Sequence, residues 1–459
     1  MKRYETKAED VVIAYIGGGS RGWAWGLMSD LAAQDILNGT VRLYDIDREA
    51  ADNNAIVGAK ANSAEGAKSH WDYVAVGSLE EALTGADFVV LSILPGTFDE
   101  MESDVHAPEK YGIYQSVGDT AGPGGLFRAM RTIPMYKEIA LAIKSYSPDA
   151  WVINYTNPMS LCVWALYEVF PEIKAFGCCH EVFSTQDLLS KALAELRGIK
   201  GVKRDDISVN VKGINHFTWL DSAWHRDINL MDVYREFVDK YYESGWMLDE
   251  SNHWMNNSFA CANRVKFDLF RRYGSIAAAG DRHLAEFMPG KMYLADPETV
   301  KEWMFGLTKV SWRKEDLEKR LERSARLVSG EEEFKLKQTG EEGVNMMQAL
   351  LGFKTLVSNV NLPNIGQVPN LPIGAVVETN AVFRHNTVMP VAAGPLSHDI
   401  AAMINRHCAN HRTILTATLT QDYDLAFTAF INDPLMTACV KDARVLFDEM
   451  VKNTKKYLW

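Results

Sequence analysis

The chain has 459 residues, of which 47% are hydrophobic and 24% charged, and its formal net charge is −12. This length exceeds one ordinary hydrophobic core, so two domains or one enlarged α/β unit are expected. The negative charge argues against nucleic acid and anionic membrane surfaces as partners, whereas one or two local cations could still bind a small acidic substrate.

The first apolar run, Val11–Ile16, is too short for a signal-peptide core or a membrane span. The six cysteines are scattered and lack the spacing of a disulfide framework. In a large chain without a secretion signal such cysteines are typically reduced thiols. The sequence therefore predicts a cytoplasmic protein.

A glycine-rich loop follows this first predicted strand. Gly17, Gly19 and Gly22 form the pattern G-x-G-x-x-G at the start of a predicted helix. In such loops the first glycine allows a tight turn, the second lets the backbone approach a pyrophosphate, and the third lets the helix pack on the strand. The next predicted strand ends in Asp45. A carboxylate there accepts hydrogen bonds from the ribose hydroxyls and repels a 2′-phosphate, so NAD is predicted as the cofactor.

Predicted strands and helices alternate through the first half of the chain. The strands are Val11–Ile16, Val41–Tyr44, Phe88–Leu94, Trp151–Tyr155 and Lys174–Cys178, and the helices include Gly125–Tyr146 and Thr185–Leu196. This alternation indicates a Rossmann-type doubly wound parallel sheet. From about residue 207 the helices become longer, and Trp312–Glu333 has the charge pattern of a solvated helical face. We expect an NAD-binding domain at residues 1–203 and a second, α+β domain at residues 204–459.

Three predicted strands end in polar side chains that could meet a ligand. Two of the strands above lead into Asn154–Pro158 and into Cys179 and His180, and a further predicted strand, Ile207–Lys212, leads into Asn215 and His216. Ligands of open parallel sheets bind beyond the carboxyl ends of the strands, so these side chains are candidate site residues. Their spacing carries no zinc signature. The residues alone predict a nicotinamide-dependent enzyme and leave open whether it binds a metal.

Several longer motifs resemble glycoside hydrolase family 4. They occur in the same order along nearly the whole chain: Gly17–Ser20, Val117–Thr120 with Gly122–Gly125, Arg131–Pro134, Asn154–Pro158, Cys179–Val182, Asn215–His216 and Asn361–Asn364. Within the family, the bacterial α-galacturonidases are the most similar group, through Ser92–Gly96, Gly112–Ser116 and Ala279–Phe287.

The resemblance implies a two-domain enzyme, similar in fold to lactate and malate dehydrogenases, that uses NAD and usually Mn²⁺. In the family's mechanism NAD takes hydride from C3 of the sugar, a base removes the proton from C2, and the leaving group departs from C1 by elimination. Water then adds and the hydride returns. Family 4 is thus an exception to the two-carboxylate glycosidase scheme.

The resemblance also implies roles for individual residues. Cys179 and His216 match the metal ligands, and Ser20 lies in the matching cofactor loop. Asn157 matches an asparagine that contacts sugar hydroxyls. His180 occupies the position that holds the leaving-group acid in some subgroups. Asp119 is the alternative candidate for the general acid or for substrate binding.

The chain departs from the family at the position of the catalytic base. Phe287 stands where the members acting on phosphorylated sugars have a tyrosine, and phenylalanine cannot take a proton. Asp281, His283 and Tyr273 are the nearby substitutes, and we rank Asp281 first.

A second departure concerns the substrate. Leu94-Pro95 replaces an arginine of the phospho-sugar members, which favours a sugar without phosphate. A uronate carboxylate requires a fork of donors such as arginine supplies. Arg282 is the first candidate and Arg131 the second, and His283 is expected near the same sugar.

The resemblance predicts hydrolysis of α-galacturonides by a homodimer or homotetramer. An α-glucuronide or α-galactoside substrate and a plain NAD-dependent sugar or hydroxy-acid dehydrogenase are the alternatives.

Overall fold

The computed structural model describes residues 1–247, 253–255, 257 and 259–459. Its strands are β1 Lys2–Arg3, β2 Ala8–Ile16, β3 Leu37–Tyr44, β4 Trp71–Ala75, β5 Phe88–Leu91, β6 Trp151–Asn154, β7 Lys174–Gly177, β8 Ser208–Ile214, β9 Phe217–His225, β10 Ile228–Asn229, β11 Ile276–Ala277, β12 Leu356–Pro363, β13 Val376–Arg384 and β14 Thr387–Pro390.

The α-helices are α1 Trp23–Ala32, α2 Arg48–Ala61, α3 Leu79–Leu83, α4 Phe98–His106, α5 Gly122–Tyr146, α6 Met159–Val169, α7 Glu181–Arg197, α8 Leu230–Tyr241, α9 Arg264–Tyr273, α10 Asp281–Phe287, α11 Pro297–Glu302, α12 Val310–Ser329, α13 Gly343–Leu350, α14 His398–Thr420, α15 Tyr423–Asn432 and α16 Val440–Thr454. Short 3₁₀ helices span Ala107–Tyr111, Arg204–Asp206 and Lys455–Tyr457. None of the described helices is long and apolar enough to cross a membrane.

The larger sheet has the strand order β14-β13-β12-β7-β6-β5-β2-β3-β4, and β1 pairs with β2. The strands from β7 to β4 are all parallel. The chain starts this sheet at its centre with β2, adds β3 and β4 on one side, and then adds β5, β6 and β7 on the other. This order reverses between β2 and β5, as in a doubly wound sheet, which confirms the predicted Rossmann-type fold.

Helices cover both faces of this sheet, and β5 shows why the strands are apolar throughout. Phe88 and Val90 pack into the core that includes α1, α2 and α13. Val89 and Leu91 pack into the opposite core, which includes α5, α6 and the carboxyl-terminal helices. Successive side chains of a strand point to opposite faces, so a strand buried on both faces must be apolar at every position.

A second, antiparallel sheet lies in the other half of the chain. It has the order β10-β9-β11, with β8 also paired to β9. Helices α7, α8 and α9 pack against it around a separate core that includes Leu189, Phe237 and Phe267. The chain then returns to the large sheet, where β12 pairs antiparallel with β7 and continues into β13 and β14. The predicted boundary between residues 203 and 204 stays a prediction.

Candidate active site

A cleft opens at the carboxyl ends of the parallel strands and encloses about 1470 Å³. Its walls come from the loops after β2, β3, β5, β6 and β7, from the turn between β8 and β9, and from α10 and α12. Pockets for drug-sized ligands are typically about 300–1,000 Å³. This cleft therefore has room for a dinucleotide together with a sugar.

The glycine-rich loop forms one end of the cleft. Helix α1 begins directly after Gly22, and no side chain caps its first N–H groups. Those groups and the positive end of the helix dipole are free for phosphates. A Cβ on Gly19 would lie 2.6 Å from the Cβ of Ala50 and 2.9 Å from Oδ2 of Asp45, so only glycine fits there.

Asp45 lies where the ribose-binding carboxylate was predicted. Its Oδ2 accepts a hydrogen bond from the N–H of Gly19 at 2.8 Å, and its Oδ1 accepts one from the N–H of Asp47 at 3.0 Å. Ser20 and Asp45 both line the cleft. The structure thus brings together at the glycine-loop end of the cleft the five predicted cofactor residues: Gly17, Gly19, Ser20, Gly22 and Asp45.

The other end of the cleft gathers four of the predicted site residues. Nδ2 of Asn157 lies 3.5 Å from Oδ2 of Asp119, and the rings of His216 and His283 lie 3.8 Å apart. One ligand atom from each of Asp119, His216 and His283 lies within 4.8 Å of the others. Nδ1 of His283 and Oδ1 of Asn157 are buried and have no hydrogen-bond partner. These unpartnered atoms and clustered donors are the features of a site that binds a cation or a polar ligand.

The hydrogen bonds of His216 determine which of its ring nitrogens can bind a metal. Thr120 donates its only hydroxyl proton to Oδ1 of Asp119 at 2.7 Å, and its oxygen lies 3.0 Å from Nδ1 of His216. Because that proton is already used, Nδ1 of His216 must donate to Thr120. The neutral ring then carries its free lone pair on Nε2, the arrangement typical of metal-binding histidines.

Opposing effects act on the charges around these histidines. Burial raises the pKa of the Asp119 carboxyl, but Arg128, His283 and His216 outweigh it and hold this pKa far below its usual range. Burial also lowers the pKa of His216 to about 3, with His283 adding repulsion. The structure therefore combines an ionised carboxylate with a neutral imidazole.

Cys179 lines the cleft directly after β7. Its carbonyl accepts a hydrogen bond from Nδ2 of Asn359 at 3.1 Å. Burial, and then the nearby carboxyls of Glu378 and Glu181, raise the pKa of this thiol well above its ordinary value. A bound cation would favour the thiolate, since metal ligation requires the deprotonated form.

His180 and Glu181 follow at the start of α7. Nδ1 of His180 lies 2.7 Å from Oε1 of Glu341, and this hydrogen bond raises the pKa of His180 to about 9 despite partial burial.

Oε2 of Glu181 accepts a hydrogen bond from the N–H of Gly280 at 2.7 Å, and its Oε1 lies 3.7 Å from Nε2 of His283. Neither Glu181 nor Glu341 was predicted as a site residue. Glu181 was within reach of sequence reasoning because it lies beside Cys179 and His180 in a single motif.

Asp281 lies at the cleft wall, but its carboxylate already has partners. It accepts hydrogen bonds from the N–H groups of Val265 at 3.3 Å and Lys266 at 3.0 Å, at the start of α9. Burial raises its pKa to about 6. The N-cap residue of α9, Asn263, makes no side-chain cap, so Asp281 satisfies helix N–H groups that would otherwise be unpaired. This placement favours a structural role for Asp281.

The other residues considered at the base position differ in their access to the cleft. Tyr273 packs against Trp219 in the core, with ring centroids 5.6 Å apart, and Phe287 stacks on Phe217 at 4.8 Å. Neither Tyr273 nor Phe287 belongs to the described cleft lining, whereas His283 does.

The two arginine candidates for a substrate carboxylate have different surroundings. Arg131 forms a buried ion pair with both carboxylate oxygens of Asp104, at 3.0 and 2.5 Å. Its fork is thus occupied, and the prediction of Arg131 as the second candidate is wrong. Arg282 lines the cleft and donates through Nη2 to the carbonyl of Ser116 and to Thr308, while its buried Nε has no partner.

Four further arginines line the cleft and were missed by sequence reasoning: Arg21, Arg128, Arg313 and Arg320. Arg128 donates from Nε to the carbonyl of Asn157 at 2.9 Å and faces Asp119. Burial lowers the pKa of Arg282. The like charge of Arg313, on α12, lowers the pKa of Arg282 further. Arginines gathered in this way favour an anionic ligand.

The fold and the cleft together define an α/β enzyme of the dinucleotide-binding class, with a cation or sugar site beside the cofactor end. Residues 12–195 match the model of the family 4 glycosyl hydrolases, and residues 211–436 match that of their C-terminal domain. The chain belongs to glycosyl hydrolase family 4, which confirms the resemblance inferred from the motifs.

Individual relatives support this assignment. The α-galacturonidase of Thermoanaerobacterium saccharolyticum is 64% identical over 458 residues, which cover 100% of this chain and 98% of the relative. The crystal structure of a Bacillus subtilis protein described as a glucosidase is 51% identical, with a TM-score of 0.92, over 96% of this chain and 100% of that chain. A 6-phospho-α-glucosidase from gut microorganisms, solved in complex with NAD and Mn²⁺, is 19% identical over 98% of this chain and 99% of that chain, with a TM-score of 0.79.

Proposed function

We propose that the protein is an NAD- and Mn²⁺-dependent glycosidase that hydrolyses α-galacturonides. The observation that carries the proposal is the single cleft that joins the dinucleotide loop to the cluster of Asp119, His216 and His283. The 64% identity to an α-galacturonidase supports the choice of sugar. In the overall reaction water adds across the glycosidic bond to give galacturonate and an alcohol, and NAD is regenerated.

The residues present fit both groups. The uncapped start of α1 and the carboxylate of Asp45 suit the pyrophosphate and the ribose of NAD. Oxygen and nitrogen donors from Asp119, His216 and His283 suit Mn²⁺ better than a thiolate does. Two ligand sets are therefore open, the predicted pair Cys179 and His216 and the cluster of Asp119, His216 and His283, and they share His216.

When bound, NAD would accept and return a hydride, and the metal would act as a Lewis acid toward sugar oxygens. The chain's own residues orient the sugar and move protons. His180 is placed to protonate the leaving group, since Glu341 occupies Nδ1 and leaves Nε2 as the second donor. His283 is better placed than Asp281 as the base at C2, because its Nδ1 has no partner. Asn157 would contact sugar hydroxyls.

Arg282 is our candidate for the uronate carboxylate. Its unpartnered Nε can add a hydrogen bond to an anion, and a guanidinium that faces a carboxylate makes two charge-assisted bonds. Phosphorylated sugars are disfavoured because Leu94 and Pro95 offer no cation. An α-glucuronide and an α-galactoside remain alternative substrates, and a plain dehydrogenase is the alternative reaction.

The cellular setting is also a proposal. The six cysteines are free thiols in the structure, which agrees with a reducing compartment such as the cytoplasm. We expect a role in carbohydrate metabolism there. We expect a homodimer or homotetramer that acts on a small glycoside, with neither nucleic acid nor membrane as a partner.

The test is release of 4-nitrophenol from the α-galacturonide in ²H₂O, with Mn²⁺, NAD and reductant each omitted in turn. We expect turnover that requires all three, deuterium at C2 of the product, and no accumulation of NADH. Release from the glucuronide or galactoside instead would change the substrate and keep the mechanism. Accumulation of NADH without glycoside cleavage would replace the proposal with a dehydrogenase.

A further inference from the structure

A buried carboxylate lies behind the loops that carry Cys179 and His216. Glu378, on β13, is 1% exposed. Its Oε1 accepts a hydrogen bond from Nδ2 of Asn359 at 2.6 Å, and its Oε2 accepts one from Nδ2 of Asn215 at 3.3 Å. Each carboxylate oxygen thus holds a different asparagine.

Asn359 connects Glu378 to the loop after β7. It lies on β12, the strand beside β7, and the same Nδ2 also donates to the carbonyl of Cys179 at 3.1 Å. Residue 361 of β12 pairs with Glu378, so Asn359 and Glu378 are diagonal neighbours on one face of the sheet. The position of the Cys179 backbone is therefore coupled to Glu378.

Asn215 connects Glu378 to the second loop. Asn215 and His216 form the two-residue turn between β8 and β9, in which Ile214 pairs with Phe217. His216 has a φ of 63°, in the left-handed region that few non-glycine residues adopt. The hydrogen bond from Asn215 to Glu378 holds this strained turn against the large sheet.

We infer that Glu378 is a positioning residue that fixes Cys179 and His216 relative to each other for metal binding. The two loops lie in different sheets, and Glu378 joins them through one amide each. A hydrophobic side chain would fill this buried position without the cost of desolvating a carboxyl group. The anchoring of two loops gives a physical reason for the carboxylate. The inference rests on the proposed function.

The variant Glu378→Gln tests this role with almost no change in shape. Glutamine offers one oxygen and one NH₂ group, so one asparagine would lose its acceptor and face a second donor. Partners that orient metal ligands typically contribute about 10- to 100-fold in metal affinity. We expect Glu378→Gln to weaken Mn²⁺ binding by about 10-fold or more, measured by the electron paramagnetic resonance signal of free Mn²⁺ in the full-length chain with NAD. NAD affinity should change by less than about 2-fold, because no atom of Glu378 lines the described cleft.

Asn364→Ala is the matched control in the same hairpin. Asn364 is fully buried and donates to the carbonyls of Val368 and Leu371 after β12, away from both loops. It should lower the thermal midpoint and leave Mn²⁺ affinity unchanged. Asn359→Ala, which removes the bond to the Cys179 carbonyl, replaces Glu378→Gln if that variant does not fold.

The outcomes separate this inference from the proposed function. Wild-type Mn²⁺ affinity in Glu378→Gln, or equal weakening in Asn364→Ala, would overturn the positioning role and leave the glycosidase proposal intact. Failure of the wild-type chain to bind Mn²⁺ in the presence of NAD would overturn both. Selective loss of Mn²⁺ affinity with unchanged NAD affinity would support the role.

Discussion

His180 is paired with Glu341 across the cleft mouth, with 2.7 Å between Nδ1 and Oε1. The side chain of His180 is 53% exposed and that of Glu341 is 13% exposed, so the carboxylate contacts the ring from its more buried side. This arrangement keeps one face of the imidazole open to an aglycone and fixes its orientation. The pair therefore suits a group that delivers a proton to a departing oxygen.

The loss of activity on removal of this acid should depend on the leaving group. We expect His180→Gln to lower kcat/KM by about 10²- to 10⁴-fold on a galacturonide with a sugar or alkyl aglycone, the usual contribution of general acid catalysis. The loss should be small with 4-nitrophenyl, which departs without protonation. Equal losses on both substrates would contradict the role of His180 as acid. Glu341→Gln should show the same pattern more weakly, because it leaves the acid in place but unoriented.

His283 is either a metal ligand or the base, and one variant separates these roles. If His283 is the base, His283→Gln should abolish exchange of the C2 proton with ²H₂O and leave Mn²⁺ affinity within about 3-fold. If it is a ligand, Mn²⁺ affinity should fall by more than about 10-fold, together with activity. We expect the first result, because Cys179 and His216 also line the cleft. His216→Gln, measured in parallel, shows how much affinity a ligand contributes, since His216 belongs to both candidate ligand sets.

Arg282 should determine the preference for a uronate over a neutral sugar. Charge-assisted hydrogen bonds contribute about 1.5–3 kcal/mol, so Arg282→Gln should lower kcat/KM on the α-galacturonide by about 10- to 150-fold. Activity on the matching α-galactoside, which has no carboxylate, should be nearly unchanged. Arg412→Gln, which removes a surface pair with Glu168 at 2.7 Å and a contact with the Trp164 ring, is the control. A parallel loss on both sugars would mean that Arg282 acts through its bonds to Ser116 and Thr308.

Asp45 should control the choice of dinucleotide. Asp45→Asn removes the negative charge near the ribose and weakens the acceptor, so the dissociation constant of NAD should rise about 10-fold. Discrimination against NADP should decrease, because repulsion of the 2′-phosphate is lost. Fluorescence titration of both cofactors measures this change, with Asp52→Asn on the surface of α2 as the control. Unchanged discrimination would place the ribose elsewhere.

The sequence predicted the parts of the molecule that depend on local patterns. The strands from β2 to β7 were found from their apolar runs, except β4. In Trp71–Ala75 only Trp71 is buried, and exposed positions alternate with half-buried ones after it, so this strand has no such run. The glycine loop and Asp45 were found because their spacing follows directly from one β-α-β unit.

Contacts between distant parts of the chain could not be predicted from such patterns. Nothing near Arg131 in the sequence shows that Asp104 occupies its fork, and Glu341 lies 161 positions after His180. Asp281 resembled a free catalytic carboxylate because its two backbone partners belong to another helix. Local pattern therefore gave the positions of most site residues, and the tertiary fold decided which of them have free functional atoms.

Two buried histidines on α14, His407 and His411, should make the fold sensitive to acid. Burial lowers the pKa of His411 to about 3, with repulsion from His407 as the second cause, and burial lowers the pKa of His407 to about 4. In the unfolded chain both have a pKa of about 6.5. Between these values the unfolded state binds protons that the folded state does not, so stability is fully present above pH 6.5 or so and falls as the pH decreases toward about 4.

The variant His411→Gln should therefore flatten this dependence. Each neutral buried histidine contributes a slope of up to about 1.4 kcal/mol per pH unit, and the variant removes one of the two slopes. Urea-unfolding midpoints measured at several values between pH 6.5 and pH 4.5 give the comparison. The loss of midpoint on acidification should be smaller in His411→Gln than in the wild type, even if the variant is less stable at neutral pH. His70→Gln, at a surface position with 76% of its side chain exposed, should keep the wild-type slope. An unchanged slope in His411→Gln would show that this histidine binds a proton in the folded protein.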